Sequence, residues 1–163
     1  MIEKNKTTVT IDKIRTQEDI HFCANLRASM DPWATLQRDY DDAVASITAP
    51  DHESYVAKIG SEIAGFAVIS VEGVLTGFLL TLCIVPGFQG HGVGSKLLEF
   101  CENRILKETP NVFLLVSDFN ISAQEFYFRH GYNKIGELKD YVIKGYSEFI
   151  LRKSIAPRND FFK

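Results

Sequence analysis

The chain has 163 residues, of which 45% are hydrophobic and 24% charged, a composition that builds a core and excludes a disordered or fibrous polypeptide. Lys and Arg total 18 against 21 Asp and Glu, a net charge of −3, which argues against a dedicated nucleic-acid binder because such proteins carry a basic excess. No stretch approaches the ~20 apolar residues of a membrane span, and Met1-Ile2-Glu3-Lys4-Asn5-Lys6 leads into no signal-peptide core.

In chain order, Val9 to Ile14 alternates β-branched and polar residues and reads as a strand. Thr16, with Asp19 three positions on, supplies an N-cap for a helix carrying Leu26 and Met30. Asp31-Pro32 is a second start signal, a capping side chain followed by proline at the first helical position. Trp33, Leu36, Tyr40, Ala43, Val44 and Ile47 then recur at helical spacing until Pro50. Ser54 to Ile59 and Ile63 to Val71 flank Gly60-Ser61-Glu62, so a hairpin is expected. After Gly73 and Gly77, the apolar run Phe78 to Val85 reads as a central strand buried on both faces, ended by Pro86. Val93 to Lys107 is helical, with Val93, Leu97, Leu98, Cys101 and Ile105 on one stripe. Asn111 to Ser117 is another buried strand. Asn120 caps a short helix that Gly131 closes. Tyr132 to Leu138 and Ser147 to Arg152 are the last strands, and the tail from Ser154 to Lys163 is irregular. The order β-α-α-β-β-β-α-β-α-β-β fits one mixed α/β sheet in a single domain over 1–163. Cys23, Cys83 and Cys101 are odd in number and lie in apolar runs without a C-x-x-C pair. That usage predicts buried thiols in a reducing cytoplasm and no metal site.

The chemistry concentrates in Gln89-Gly90-His91-Gly92-Val93-Gly94-Ser95-Lys96, between a buried strand and a helix. Glycines let main chain approach a ligand, and free N–H groups at a helix start favour an anion such as a pyrophosphate. A dinucleotide fingerprint begun at Gly90 fails because position 95 is Ser and no acidic residue follows at Pro110-Asn111. A Walker loop begun at Gly87 finds Val93 where lysine is required.

The pattern Q/R-x-x-G-x-G/A does fit, as Gln89-x-x-Gly92-x-Gly94 after a strand ending Leu82-Cys83-Ile84-Val85-Pro86. One helix and one strand later comes Asn120-x-x-Ala123-x-x-Phe126-Tyr127-x-x-x-Gly131-Tyr132. Both motifs, in this order, resemble those of the GNAT superfamily of acyl-CoA-dependent N-acyltransferases, specifically from Ile63 to Tyr132. The resemblance implies an α/β (α+β) fold: a mixed, mostly antiparallel central sheet of six to seven strands with helices on both faces. It also implies acetyl-CoA as the donor cofactor, with the pyrophosphate on the loop Gly90, His91, Gly92, Val93, Gly94 and Ser95, entered through Gln89. The donor's pantetheine arm would run along the exposed main chain of Leu82, Cys83 and Ile84, like an added strand. Asn120 would hold that arm from the other side.

By the same resemblance Tyr127 is the general acid for the leaving thiolate, since a tyrosine is protonated at neutral pH. A main-chain N–H near Ile84 is the oxyanion donor. The subgroup that acetylates ribosomal-protein N-termini carries a glutamate in the strand before the asparagine, where this chain has Leu115. The general base is therefore open among Glu72, Asp31 and Glu148. His91 reads as a loop residue rather than a base, and Cys83 as a main-chain contact rather than a nucleophile. The expected acceptor wall comprises Asp31, Trp33, Arg38, Tyr40, Glu72, Tyr141, Tyr146 and Glu148. Carboxylates there would attract a cationic amine, either a small metabolite or a peptide amine. Transfer by direct attack in a ternary complex is the leading reading; a non-catalytic acyl-CoA sensor or interaction module is the alternative. Relatives are often dimers, though nothing in the sequence marks an interface, and neither nucleic acid nor membrane is an expected partner.

Overall fold

The computed structural model describes residues 8–162. The segment 1–7, where the absence of a signal peptide was read, lies outside the described residues, as does Lys163 at the end of the tail. The elements are β1 (Val9–Lys13), α1 (Gln17–Ala28), α2 (Tyr40–Thr48), β2 (Glu53–Ile59), β3 (Glu62–Ser70) and β4 (Phe78–Ile84). They continue with α3 (Val93–Ile105), β5 (Asn111–Ser117), α4 (Ile121–Arg129), β6 (Asn133–Lys139), β7 (Ser147–Ser154) and α5 (Arg158–Phe161). The strands form one seven-stranded sheet in the order β1-β2-β3-β4-β5-β7-β6. Neighbours are antiparallel except β4 and β5, which are parallel.

Helices pack on both faces because the strands carry apolar side chains on both. On one face Leu97, Leu98, Cys101 and Ile105 of α3 join Ala67, Ile69, Val112, Leu114 and Leu151. On the other, Cys23 and Ala24 of α1 and Ala43 and Ile47 of α2 meet Phe66, Val68 and Cys83. Each fully buried Leu or Ile contributes about 1.5–3 kcal/mol relative to exposure, so the sheet and its two helical layers stand without cross-links. The three cysteines are free and buried.

The start of α1 follows its sequence signal, with the Thr16 hydroxyl accepting the Asp19 N–H at 3.0 Å. The second helix does not. Residues 31–37 fold into successive turns, and the helix opens at Tyr40 rather than at Pro32. Gln37 takes a left-handed φ of 56°, which a continuing helix cannot contain. A stronger cap follows: Asp39 accepts the Asp42 N–H at 3.0 Å while Asp42 accepts the Asp39 N–H at 3.2 Å. Asp31 spends its capping capacity locally, on the Thr35 N–H at 3.1 Å and the Thr35 hydroxyl at 2.6 Å. The tail also departs from expectation: β7 extends to Ser154, and one helical turn, α5, forms after Pro157.

Candidate functional site

Strand β4 pairs with β3 from Phe78 to Ile84 but meets β5 only at Phe78–Phe113 and Leu79–Leu114. Beyond that point β4 and β5 part, which is why β4 is not buried on both faces: Leu80 is 39% exposed. The Val85 N–H donates to the Ala64 carbonyl of β3 at 2.9 Å. Successive peptide groups alternate sides along a strand, so the N–H groups of Ile84 and Leu82 face the gap. The Gln89 side-chain amide donates to the Ile84 carbonyl at 3.2 Å, closing that acceptor and leaving the Ile84 N–H. The gap widens into a cleft of about 770 Å³.

The glycine loop stands at one end of the cleft. Gly90 and Gly92 have φ of 76° and 80°, and a Cβ built at either would meet no atom within 4 Å. Gly92 is the N-cap of α3 and offers no side chain to its first N–H groups, which are left for an anion. At Ser95 the hydroxyl lies 3.0 Å from His130 Nε2, while His130 Nδ1 lies 2.7 Å from the Phe126 carbonyl. That carbonyl requires a proton on Nδ1, and the Ser95–Nε2 contact ties α4 to the loop. Asn120 caps α4 through Oδ1, which accepts the Ala123 N–H at 3.3 Å.

Three ionisable side chains stand further in. Tyr127, on α4, is 8% exposed and lines the cleft. Burial, with Cys101 nearby, pushes its pKa above the ordinary tyrosine value. It therefore stays a proton donor across any working pH. Glu148, on β7, is 6% exposed and lines the same cleft, its Oε1 accepting the Ser117 hydroxyl at 2.6 Å. Burial raises its pKa; the Ser117 hydrogen bond opposes this and Asp118 adds to it. Cys83 is buried with its Sγ 3.7 Å from Met30 Sδ, and burial pushes its thiol up to about 12, which favours the protonated thiol over a reactive thiolate.

Of the residues expected from sequence, Asp31, Trp33, Arg38, Leu82, Cys83, Ile84, Gln89, Gly90, Gly92, Gly94, Ser95, Asn120, Tyr127, Tyr141 and Glu148 line this cleft. Tyr40, Glu72 and Tyr146 do not. Tyr40 stacks on His21 and hydrogen-bonds its ring. Glu72 sits beyond the end of β3, its N–H on the Ser70 hydroxyl, and Tyr146 packs edge-on against Phe119. His91 is exposed with its ring on the Gln89 carbonyl, and the Val93 side chain is buried under α3. Sequence reasoning missed Arg27 and Thr81, which also line the cleft. The signal for Arg27 was its place on the α1 stripe of Cys23 and Ala24, where a charge requires a reason.

Among the described residues no helix is long and apolar enough to cross a membrane, and no cluster of His, Cys, Asp and Glu could hold a metal ion. The family model of the acetyltransferase (GNAT) family matches residues 17–132. The chain is 29% identical over 160 residues to the N-alpha-acetyltransferase RimI of Mycobacterium tuberculosis, covering 89% of this chain and 92% of that protein. The fold is shared with a GNAT-family acetyltransferase from Desulfovibrio desulfuricans, at a TM-score of 0.76 and 20% identity over 91% of this chain and all (100%) of that one. It is also shared with the ribosomal-protein-S18-alanine N-acetyltransferase of Escherichia coli, at a TM-score of 0.72 and 22% identity, over 93% of this chain and 98% of that one.

Proposed function

Since the chain belongs to the GNAT acetyltransferase family and is an acyltransferase, we propose that it moves an acetyl group from acetyl-CoA to a primary amine by direct attack in a ternary complex. The observation that carries this is the parting of β4 from β5, which leaves unpaired main chain beside Tyr127 and Glu148 with an anion-ready helix start at one end. The loop from Gly90 to Ser95 would hold the donor's pyrophosphate, and the empty space above Gly90 and Gly92 suits that close approach. The Leu82 and Ile84 edge, with Asn120 opposite, would line the pantetheine arm. When bound, acetyl-CoA supplies an activated thioester.

The Ile84 N–H serves as the oxyanion donor. Tyr127 protonates the departing thiolate. Glu148 is the base we select: Glu72 lies away from the cleft, and Asp31 already accepts two bonds from Thr35. Glu148 removes the proton of the attacking amine, directly or through one water, and its raised pKa makes it a stronger base than a free carboxylate. Leu115 stands where the S18-type subgroup has its glutamate, so Glu148 supplies the carboxylate from the neighbouring strand. Two of the similar proteins, an N-alpha-acetyltransferase and a ribosomal-protein-S18-alanine N-acetyltransferase, are named for amine acetylation, which supports an amine acceptor here. The unpaired thiols suit a reducing cytoplasm.

Calorimetric titration with acetyl-CoA and CoA, followed by thiol release against a panel of small amines and peptides, tests the reading. Saturable heat with both and thiol release with amines alone are expected. No heat at millimolar donor, or acceptance of alcohols in place of amines, overturns it.

A further inference from the structure

On the acceptor side of the cleft, Arg27 of α1 is buried, only 9% exposed, yet none of the ion pairs among the described residues includes it. Its Nη1 donates to the Asp42 main-chain carbonyl at 3.2 Å, and its guanidinium lies 5.5 Å from the Trp33 ring centroid. Its Nε is fully buried without a hydrogen-bond partner. The Thr81 hydroxyl of β4, another cleft-lining group, is likewise buried and unpartnered. The carboxylates that could neutralise Arg27 are engaged elsewhere. Asp42 pairs with Arg38 at 3.1 Å and receives the Asp39 N–H, while Asp31 is tied to Thr35. Arg38, already paired with Asp42, lines the same wall.

Even with the Asp42 charge nearby, a buried guanidinium that has no ion pair of its own is costly to hold, and so is an unpartnered hydroxyl lining the same cleft. Both costs are relieved when a planar anion enters, because guanidinium and hydroxyl donate to carboxylate oxygens with charge-assisted bonds. We infer that the acceptor amine also carries a carboxylate, which Arg27 and Thr81 bind while the amine faces the thioester. This rests on the acetyl-transfer reading above and names the acceptor class within it. The carboxylate can be the α-carboxylate of a small amino acid or an acidic side chain behind a peptide N-terminus.

The test measures thiol release from acetyl-CoA with two matched acceptor pairs. Alanine against alaninamide tests the small-molecule source, and alanyl-glutamyl-alaninamide against alanyl-glutaminyl-alaninamide tests the peptide source. One pair should favour its carboxylate member by about tenfold or more in kcat/KM. Arg27→Met should erase that preference, and Arg27→Lys should keep part of it. Unaltered CoA titration heat certifies that the variants are folded. Equal use of both members of each pair by the unaltered protein, or a preference that survives in Arg27→Met, overturns the inference while the acetyl-transfer reading stands. Bound acetyl-CoA without turnover of any amine refutes that reading and takes this inference with it.

Discussion

Replacing Tyr127 with Phe removes one oxygen and nothing else. The ring contacts, at 5.2 Å to Phe126 and 5.5 Å to Tyr132 between centroids, are retained. Among the described residues no hydrogen bond engages the Tyr127 hydroxyl, so its loss orphans no buried partner. The cost in stability should stay under about 1 kcal/mol. A positioned general acid contributes roughly 10²- to 10⁴-fold, equivalent to about 3–5 kcal/mol of barrier. The variant should therefore lose about that factor in kcat, with CoA affinity within about threefold of the parent. Because burial holds the hydroxyl protonated, its loss should not alter the shape of the pH profile below the alkaline range. Thiol release under saturating donor and acceptor, alongside calorimetry with CoA, separates the two effects. Turnover within about threefold of the parent would remove Tyr127 from the chemistry. An equal fall in affinity and rate would make its role one of packing.

Glu148→Gln should slow transfer most at high pH. The parent base must be deprotonated to act, so the parent-to-variant rate ratio should shrink as pH falls through a pKa raised by burial above the usual carboxylate range; a ratio independent of pH excludes Glu148 as the base. Gly92→Val forces a β-branched residue to φ near 80° and places methyl groups where the diphosphate would lie, and CoA affinity measured by calorimetry should fall by about tenfold or more. Undiminished affinity would move the anion site elsewhere. Burial pushes the thiols of Cys23, Cys83 and Cys101 up to about 12, so an aromatic disulfide reagent at pH 8 should label none in the native protein and all three after denaturation. Rapid native labelling of Cys83 would contradict its burial.

Much of this architecture is legible in the residues because local and long-range demands agree. The α3 stripe from Val93 to Ile105 faces one core, Thr16 caps α1, and Asn120 caps α4, each where the sequence places it. The glycine loop is legible because positive φ at a strand-to-helix junction leaves few other residue choices. The helix expected from Pro32 fails because two valid caps compete, and the reciprocal bonds of Asp39 and Asp42 outweigh the single acceptor of Asp31. The β4 run reads as doubly buried because periodicity cannot report that β5 turns away after Leu114. The family resemblance places Tyr40 and Tyr146 at the acceptor pocket through the elements that carry them, but their rings find His21 and Phe119 instead. Arg27 escaped because hydrophobic patterning passes over a charge on an apolar stripe, although a charge in that position is the informative one.

The forked junction between β4 and β5 lies in the middle of the sheet, with intact strands on both sides. Adjacent strands normally sit about 4.8 Å apart, so a wedge that starts from ladder spacing and opens into the cleft has room for a slender, extended chain. The same interior placement keeps the unmated amides out of reach of neighbouring molecules, so an edge that would invite fibril growth at the sheet's rim is harmless here.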